Sequence, residues 1–475
     1  MGILLANVAA LLSLVISSQA QFETRSVSEA SSALTAVVGD FNRDGTPDLA
    51  VINGLPTTGG VGILLGNGDG TFRAGANYIF GIFPLYGATA SLRKNGILDL
   101  VFNDKLNDEV WVMLGNGDGT FQPAIGYPTT AESYMVALGD FTGDGIPDIA
   151  AIEGVSTGTD VCDCIEILPG NGDGTFGPPI TTPEPYGLTA YALAVGDFNN
   201  DGKPDVALAG NTNHLGFVTA ILLGDGHGSF TADGSYSVST VAAWVTTGYF
   251  TPNKTRLDLA VDNEEGGSFS VLLGDGKGDF SQPRDYTSSY PSSSVALDLN
   301  GDGNTDLAVV DLNSNFEPGV SVYNGKGNGT FEAPAFYPAD AGFVAAGDFN
   351  GDGKPDLVTV GGNPSFITTL LNTGVVRFSP TTPLNFSQQA VGTTSAPQTV
   401  MLTNSGATEL KIQSMKASAE FSVTSNCGQH VPAKASCSLT ATFSPTQKGA
   451  KTGAITIVDN ASSKPQVIEL TGTGT

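Results

Sequence analysis

The stretch VVGDFNRDGTPDLAVI, Val37–Ile52, places three aspartates and one asparagine within nine residues and then continues as an apolar strand. Carboxylates this close to one another repel unless a positive charge lies among them. The arrangement recurs, and its five full copies begin at Asp40, Asp140, Asp197, Asp298 and Asp348. Two degenerate copies, SLRKNGILD from Ser91 and YFTPNKTRLD from Tyr249, fill the intervals. The seven starts lie about 50 residues apart, a period typical of propellers and solenoids.

A glycine-rich turn follows each acidic stretch. It reads LLGNGDGTF from Leu64 in the first unit and has degenerated to LLNTGVVRF from Leu370 in the seventh. Apolar residues that alternate around a Gly/Asn/Asp cluster predict a β-hairpin. Each unit is therefore expected to contain four short antiparallel strands: one before the acidic loop, one after it, one before the glycine turn and one after that turn.

Seven such units predict an all-β chain that begins with a seven-bladed β-propeller. The segment FETRSVSEA, residues 22–30, resembles a fourth strand that has no first three strands before it. We expect it to complete the last blade, which would close the ring and remove an open sheet edge.

The acidic loops have the oxygen spacing of a calcium site. Side-chain oxygens fall at positions 1, 3, 5 and 9 of DFNRDGTPD, a backbone carbonyl is available at position 7, and Gly45 at position 6 permits the sharp bend. Calcium takes six to eight oxygen ligands. An EF-hand is excluded because position 12 is never Glu and the flanks are strands. A solvated turn without metal is the alternative, but five copies in register favour about five structural calcium ions.

The predicted calcium ligands occupy the same five positions in each full copy. They are Asp40, Asn42, Asp44, Thr46, Asp48, Asp140, Thr142, Asp144, Ile146, Asp148, Asp197, Asn199, Asp201, Lys203, Asp205, Asp298, Asn300, Asp302, Asn304, Asp306, Asp348, Asn350, Asp352, Lys354 and Asp356.

The copies are not equivalent as metal sites. The degenerate loops lose acids and gain fixed positive charge, with Ser91 and Arg93 in the second unit and Pro252, Lys254 and Arg256 in the fifth, so we expect no calcium there. Thr142 is a weaker ligand than asparagine, which predicts that the third unit has the weakest site.

Composition and the chain ends limit the classes of function. A formal net charge of −27 disfavours binding to nucleic acid or to anionic membranes. Residues 1–20 contain an apolar run shorter than a bilayer span and end in SQA, which predicts a secretory signal peptide, with an uncleaved anchor as the alternative. We expect a secreted or cell-surface monomer with no membrane span once the signal is removed.

Four cysteines form two close pairs. Export permits disulfides, and Cys427 and Cys437 are predicted to be bridged. The C-x-C pair Cys162 and Cys164 is compatible with free thiols or with a strained disulfide.

The motifs GDFNxDGxxDLAV and LLGNGDGTF resemble the FG-GAP/VCBS repeats of the integrin α-subunit propeller family over roughly residues 22–373. The resemblance implies a seven-bladed propeller with calcium in the loops between the first two strands, and binding of extracellular proteins or sugars. From about residue 379, PLNFSQQAVGTTSAPQTVMLTNSG and GAITIVDNASSKPQVIELTGTG resemble the Ig-like choice-of-anchor D/ASH module. The expected division is a signal peptide at 1–20, a propeller at 21–373, a linker at 374–380 and an Ig-like β-sandwich at 381–475.

The function expected from these features is non-catalytic binding or adhesion, directed at an extracellular protein or glycan. The calcium loops and glycine turns should share one rim of the propeller, and the loops of the other rim vary between units and are the expected ligand face. The chain has three histidines and no motif of a nucleophile elbow, zinc protease or phosphate loop, so we expect no enzyme. The alternatives are a polysaccharide lyase or hydrolase on a propeller scaffold and a purely architectural cell-surface module.

Overall fold

The structure is a computed structural model, and it describes residues 22–30, 32–54, 59–80, 83–154, 163–212, 215–362, 365–372, 376–379, 384–404, 409–432, 435–459, 461 and 465–475. Residues 1–20, the expected signal peptide, lie outside the described residues, as does Cys162. None of the described segments is a helix long and apolar enough to cross a membrane.

The described chain up to Asn372 forms seven four-stranded antiparallel sheets, here called blades 1–7 in chain order. A single strand, β1 (Phe22–Ala30), precedes blade 1. The strands of blades 1–3 are β2 (Ala33–Gly39), β3 (Asp48–Asn53), β4 (Gly60–Gly66), β5 (Phe72–Ile79), β6 (Gly87–Ala90), β7 (Asp99–Asp104), β8 (Glu109–Met113), β9 (Ile125–Pro128), β10 (Glu132–Gly139), β11 (Asp148–Gly154), β12 (Cys164–Leu168) and β13 (Ile180–Pro183).

Blades 4–7 repeat the pattern, with two 3₁₀ turns at Pro185–Gly187 and Glu264–Gly266. Their strands are β14 (Leu188–Gly196), β15 (Asp205–Thr212), β16 (Gly216–Gly224), β17 (Phe230–Ser237), β18 (Ala242–Gly248), β19 (Asp258–Asn263), β20 (Ser268–Leu272), β21 (Arg284–Thr287), β22 (Ser294–Leu297), β23 (Asp306–Leu312), β24 (Pro318–Tyr323), β25 (Ala335–Pro338), β26 (Phe343–Gly347), β27 (Asp356–Gly361) and β28 (Ser365–Asn372).

The blades close into a ring. Each first strand contacts the first strand of the next blade, and the first strand of blade 7 contacts that of blade 1. The fourth strand of blade 7 is β1, which pairs antiparallel with β28 from Phe22 opposite Asn372 to Ala30 opposite Ser365. The prediction that the N-terminal segment completes the last blade is therefore confirmed.

Phenylalanines at two repeat positions join neighbouring blades. Phe41, at position 2 of the first acidic loop, is 2% exposed and meets Phe121 of blade 2 edge-on at 5.5 Å between ring centroids. Phe349 of blade 7 meets Phe72 of blade 1 in the same way at 5.6 Å, so the contact also closes the ring. A backbone hydrogen bond accompanies each of these pairs, as from Gly70 N to Phe349 O at 3.0 Å. Each aromatic pair adds about 0.5–1.5 kcal/mol beyond the area it buries.

The remaining described chain is an Ig-like sandwich of one four-stranded and one five-stranded sheet. Inward residues such as Leu439, Ala441 and Phe443 alternate with half-buried threonines. The strands are β29 (Val376–Ser379), β30 (Leu384–Gln389), β31 (Gln398–Asn404), β32 (Leu410–Ala417), β33 (Phe421–Ser425), β34 (His430–Val431), β35 (Ser436–Phe443), β36 (Gly449–Asp459) and β37 (Gln466–Gly474).

Two details of this region concern the sequence predictions. Val376–Ser379, assigned to the linker 374–380, is instead an edge strand of the sandwich and pairs with β31. The buried Val376 and the core-packed Phe378 explain the difference, because alternate residues of this short strand face the apolar core. Cys427 and Cys437 are joined in a disulfide, and Cys164 is also disulfide-bonded.

Candidate functional sites on the two rims

The aspartate at position 9 of each acidic loop is a structural brace. Asp48 is fully buried; its Oδ2 accepts a hydrogen bond from Phe41 N at 2.9 Å, and its Oδ1 accepts one from Gly66 N at 2.8 Å. The carboxylate thus ties the acidic loop to the glycine turn, and the prediction that both lie on one rim is confirmed. The same bracing recurs in all seven described blades, at Asp48, Asp99, Asp148, Asp205, Asp258, Asp306 and Asp356.

Sequence reasoning treated this aspartate only as a bidentate calcium ligand and missed the bracing. The sequence did contain a sign of it, because Asp99 and Asp258 persist in the two loops that lost their other acids. A residue kept where no calcium is expected has a role that does not need the metal.

Side chains at positions 1, 3 and 5 wrap around one backbone turn. Asp44 N donates to Asp40 Oδ1 at 3.1 Å and to Asn42 Oδ1 at 2.8 Å, while Thr46 N donates to Asp44 Oδ1 at 2.9 Å. Gly45 N donates to Asp40 Oδ2 at 2.9 Å, and its φ of +85° is one that favours glycine. Three further loops, which begin at Asp197, Asp298 and Asp348, repeat these contacts.

The third loop departs from this pattern at Thr142. Its hydroxyl donates to Asp148 Oδ2 at 3.0 Å, so it serves the brace rather than the turn. Asp140 Oδ1 is buried and has no hydrogen-bond partner in the structure. A buried carboxylate oxygen without a partner destabilises the folded protein unless an ion or a solvent molecule binds it.

Positive charge takes the place of the missing acids in blade 2. Arg93 Nη2 lies 2.5 Å from Asp99 Oδ1 and 2.6 Å from Gly115 O. In blade 5 the charge of Arg256 partly offsets the burial that raises the pKa of Asp258. In the full copies burial raises the pKa of the brace aspartate. For Asp306, burial together with the charges of the neighbouring Asp302 and Asp298 raises the pKa to about 7.

The described residues contain no group of three or more Asp, Glu, His or Cys side chains arranged to hold a metal ion. The donors nevertheless fit calcium in kind. Each full loop offers only oxygen, from side chains at positions 1, 3, 5 and 9 and from the carbonyl at position 7, and calcium prefers such hard ligands. The unpartnered Asp140 oxygen supports the same fit.

The opposite rim is apolar at its tips. It is formed by the hairpins between second and third strands and by the links between blades. Seven of the exposed large hydrophobic residues in the described propeller lie at this rim: Leu34, Ile79, Leu106, Tyr186, Leu215, Tyr290 and Phe316. Phe316 is the most exposed, at 81%. The other two exposed residues of this kind in the described propeller are Tyr249, in an acidic loop, and Ile125, at the start of β9.

Aromatic rings also cross the centre of this rim. Trp244 of blade 5 meets Tyr86, which precedes blade 2, at 5.6 Å between centroids and Phe343 of blade 7 at 5.7 Å. These blades are not neighbours, so the contacts span the central opening. Trp244 Nε1 donates to Ser294 O at 3.1 Å, which makes this tryptophan a packing residue. Cavities of about 290 and 590 Å³ lie at the opening, and both are lined by Leu85 and Tyr86.

Comparison with known proteins agrees with both parts of the fold. The FG-GAP-like repeat family matches residues 92–151, 163–208 and 298–359. The ASH family, described as abnormal spindle-like microcephaly-associated, ASPM-SPD-2-Hydin, matches residues 373–467. No curated protein matches the chain.

Similar solved structures are distant. They include a periplasmic gluconolactonase from Pseudomonas aeruginosa, at 14% identity over 65% of this chain and 85% of that one, with a TM-score of 0.48. An Agrocybe aegerita lectin that recognises non-reducing terminal N-acetylglucosamine is 20% identical over 68% and 81%, with a TM-score of 0.43. A biofilm matrix protein from V. cholerae is 12% identical over 75% and 92%, with a TM-score of 0.42.

These likenesses carry no argument about activity, and the assignment depends on the matched repeats and on the strand pattern. The chain is an FG-GAP repeat protein whose β-propeller is followed by an Ig-like ASH domain.

Proposed function

We propose that this chain is a secreted or cell-surface, calcium-stabilised binding or adhesion protein that acts as a monomer and recognises an extracellular protein or glycan. The observation that carries the proposal is the contrast between the two rims. One rim consists of repeated acidic loops and glycine turns that are braced to each other, and the other presents irregular loops with exposed Leu106, Tyr186 and Phe316. Exposed apolar side chains gathered on one face are typical of interaction surfaces.

Calcium has a structural role in this proposal. Each ion would be held by the side chains at positions 1, 3 and 5, the carbonyl at position 7 and the aspartate at position 9. In blade 2, Arg93 neutralises the carboxylate of Asp99, which is buried beneath the rim. In the five full loops the positive charge of calcium would neutralise the corresponding carboxylate.

The proposed role is non-catalytic. Glycoside hydrolysis needs two carboxyl groups flanking one bond. Of the described residues that line the two cavities at the central opening, Glu264 alone has a carboxylate. This supports binding in preference to the alternative of a carbohydrate-active enzyme.

The test is a screen of the purified chain against glycans and extracellular proteins, with calcium and with EDTA. We expect saturable, calcium-dependent binding that falls at least about tenfold when Phe316 and Tyr186 are both replaced by alanine. Tyr249→Ala, on the other rim, is the matched control. Binding that is lost in Tyr249→Ala and retained in the double variant would show that the ligand binds the rim of the acidic loops, which contradicts the proposal.

A further inference from the structure

The smaller of the two central cavities has an unusual wall. Its volume is about 290 Å³, and three half-buried tyrosines, Tyr86, Tyr134 and Tyr191, line it together with Val241 and Glu264. The tyrosines precede or belong to the first strands of blades 2, 3 and 4, so they converge from three neighbouring blades. Tyr134 and Tyr191 meet edge-on at 6.2 Å between centroids.

Buried hydrogen bonds hold this wall in place. Asn103 is fully buried; its Oδ1 accepts from Tyr86 N at 2.8 Å, and its Nδ2 donates to Ser133 O at 2.6 Å. One side chain thus fixes the backbone beside two of the three tyrosines. Tyr134 packs so closely on Gly154 that an added Cβ there would lie 2.0 Å from the ring. A wall held this way needs little reordering when a ligand enters.

The hydroxyl groups of the three tyrosines offer hydrogen bonds to a ligand. Among the described residues, no protein hydrogen bond is made by the hydroxyl of Tyr86, Tyr134 or Tyr191. This contrasts with Tyr236, whose hydroxyl accepts a hydrogen bond from Phe280 N at 2.8 Å elsewhere in the propeller. A pocket with aromatic faces and a few convergent polar groups is the usual form of a small-molecule site.

Charges near the cavity restrict the ligand. Glu264 contributes a carboxylate, and Lys105 Nζ lies 4.5 Å from the centre of the Tyr134 ring. A cationic ligand stacked on Tyr134 would meet the lysine that already lies over that ring. An anionic ligand would meet Glu264 in the wall and Glu132 and Asp163 near Tyr134, in a chain of net charge −27. A neutral ligand that stacks on rings and exchanges hydroxyl hydrogen bonds meets neither penalty.

We propose that the cavity between Tyr86, Tyr134 and Tyr191 binds one neutral sugar ring, as the terminal residue of a glycan. This inference deepens the proposed function, because it places the sugar at the centre of the irregular rim. The aromatic faces would pack against the C–H face of the ring. The three tyrosine hydroxyl groups and the Glu264 carboxylate would form hydrogen bonds with the hydroxyl groups of the sugar.

The probes are the methyl glycosides of glucose, galactose, mannose and N-acetylglucosamine, with choline and inorganic phosphate as charged comparisons. Binding to the full chain is measured by calorimetry and by saturation-transfer NMR. We expect at least one glycoside to bind saturably and choline and phosphate not to bind. Tyr134→Phe and Tyr191→Phe keep the ring but remove a hydroxyl, so each should weaken binding about threefold to tenfold.

Two control variants separate this inference from the proposed function. Tyr249→Phe, on the other rim, should leave glycoside binding unchanged. Phe316→Ala tests the irregular rim away from the cavity. Glycan binding that depends on Phe316 but not on Tyr134 or Tyr191 would overturn the cavity assignment and leave the proposed function standing. The absence of binding by all four glycosides, or preferential binding of choline, would also overturn the assignment.

Discussion

Arg93 Nη2 lies 2.5 Å from Asp99 Oδ1, in the one loop where an arginine replaces the side chain at position 3. Asp99 is fully buried and also accepts hydrogen bonds from Leu92 N and Gly115 N. Blade 2 therefore neutralises its buried carboxylate with its own side chain. The five full loops keep the same aspartate but have asparagine or threonine in place of that arginine, so they lack a cation of their own at this position. This is the physical basis for proposing an external cation there.

Calcium removal should destabilise the propeller. Extracellular calcium modules bind at roughly 0.1–1 mM, so about 1 mM calcium adds ~0.4–1.4 kcal/mol per site. For about five sites we expect EDTA to lower the Tm by on the order of 5–10 °C. Differential scanning calorimetry measures the shift.

A variant that removes one carboxylate tests whether the stabilising calcium binds in the acidic loops. Asp302→Asn, at position 5 of the blade 6 loop, should lower the calcium stoichiometry by one and reduce the EDTA shift. Lys94→Gln, exposed in the blade 2 loop, is the matched control and should change neither. An identical melting curve in calcium and in EDTA would show that calcium does not stabilise the propeller.

The brace in blade 2 should act without calcium. Asp99→Ala leaves Leu92 N, Gly115 N and the Arg93 guanidinium without their acceptor, and breaking a buried ion pair in this way costs about 3–5 kcal/mol. Denaturant unfolding should show the same loss in calcium and in EDTA. A loss seen only with calcium present would instead identify a metal site in blade 2.

The N-terminal strand should be needed for a closed ring. Deleting residues 22–30 removes β1 and exposes the whole edge of β28, and an unpaired edge strand promotes association. We expect a lower Tm and the appearance of oligomers in size-exclusion chromatography. The milder variant Phe22→Ala removes the 5.2 Å edge contact with Tyr337 and some core packing but keeps the strand, and it should remain monomeric. Full stability without β1 would show that the ring closes by other contacts.

Repetition explains what the sequence predicted well. Seven copies of an acidic loop and a glycine turn determine strand order, the shared rim and the N-terminal closure, because each follows from local pattern and from the need to pair edges. The brace at Asp48 depends on a contact with Gly66 across 18 positions of sequence, which no local pattern specifies. The three-tyrosine cavity brings Tyr86, Tyr134 and Tyr191 together from about 50 residues apart. Tyr134 and Tyr191 share one repeat position, six residues before their acidic loops, but the other full copies have no tyrosine there, so the repeat does not specify the cavity. Val376–Ser379 was too short and too close to prolines to be distinguished from a linker.

Glu184 should make stability depend on pH. It lies in the link between blades 3 and 4 and is 8% exposed; its Oε2 accepts from Ala190 N at 3.1 Å, and its Oε1 has no partner in the structure. Burial, with a smaller contribution from the charge of Asp163, raises its pKa from 4.5 to about 8. Between these values the folded chain holds a proton that the unfolded chain has released. The free energy of unfolding therefore falls as pH rises, by up to about 1.4 kcal/mol per pH unit.

Glu184→Gln removes this titration. The variant should unfold like the wild type below pH 4.5 and be more stable than the wild type near pH 8, by roughly a few kcal/mol. Urea unfolding at several pH values measures the difference between the two chains. Glu265→Gln is the matched control, because Glu265 is exposed, and it should follow the wild type throughout. A Glu184→Gln chain whose stability differs from the wild type by the same amount at every pH would show that folding does not raise the pKa of Glu184.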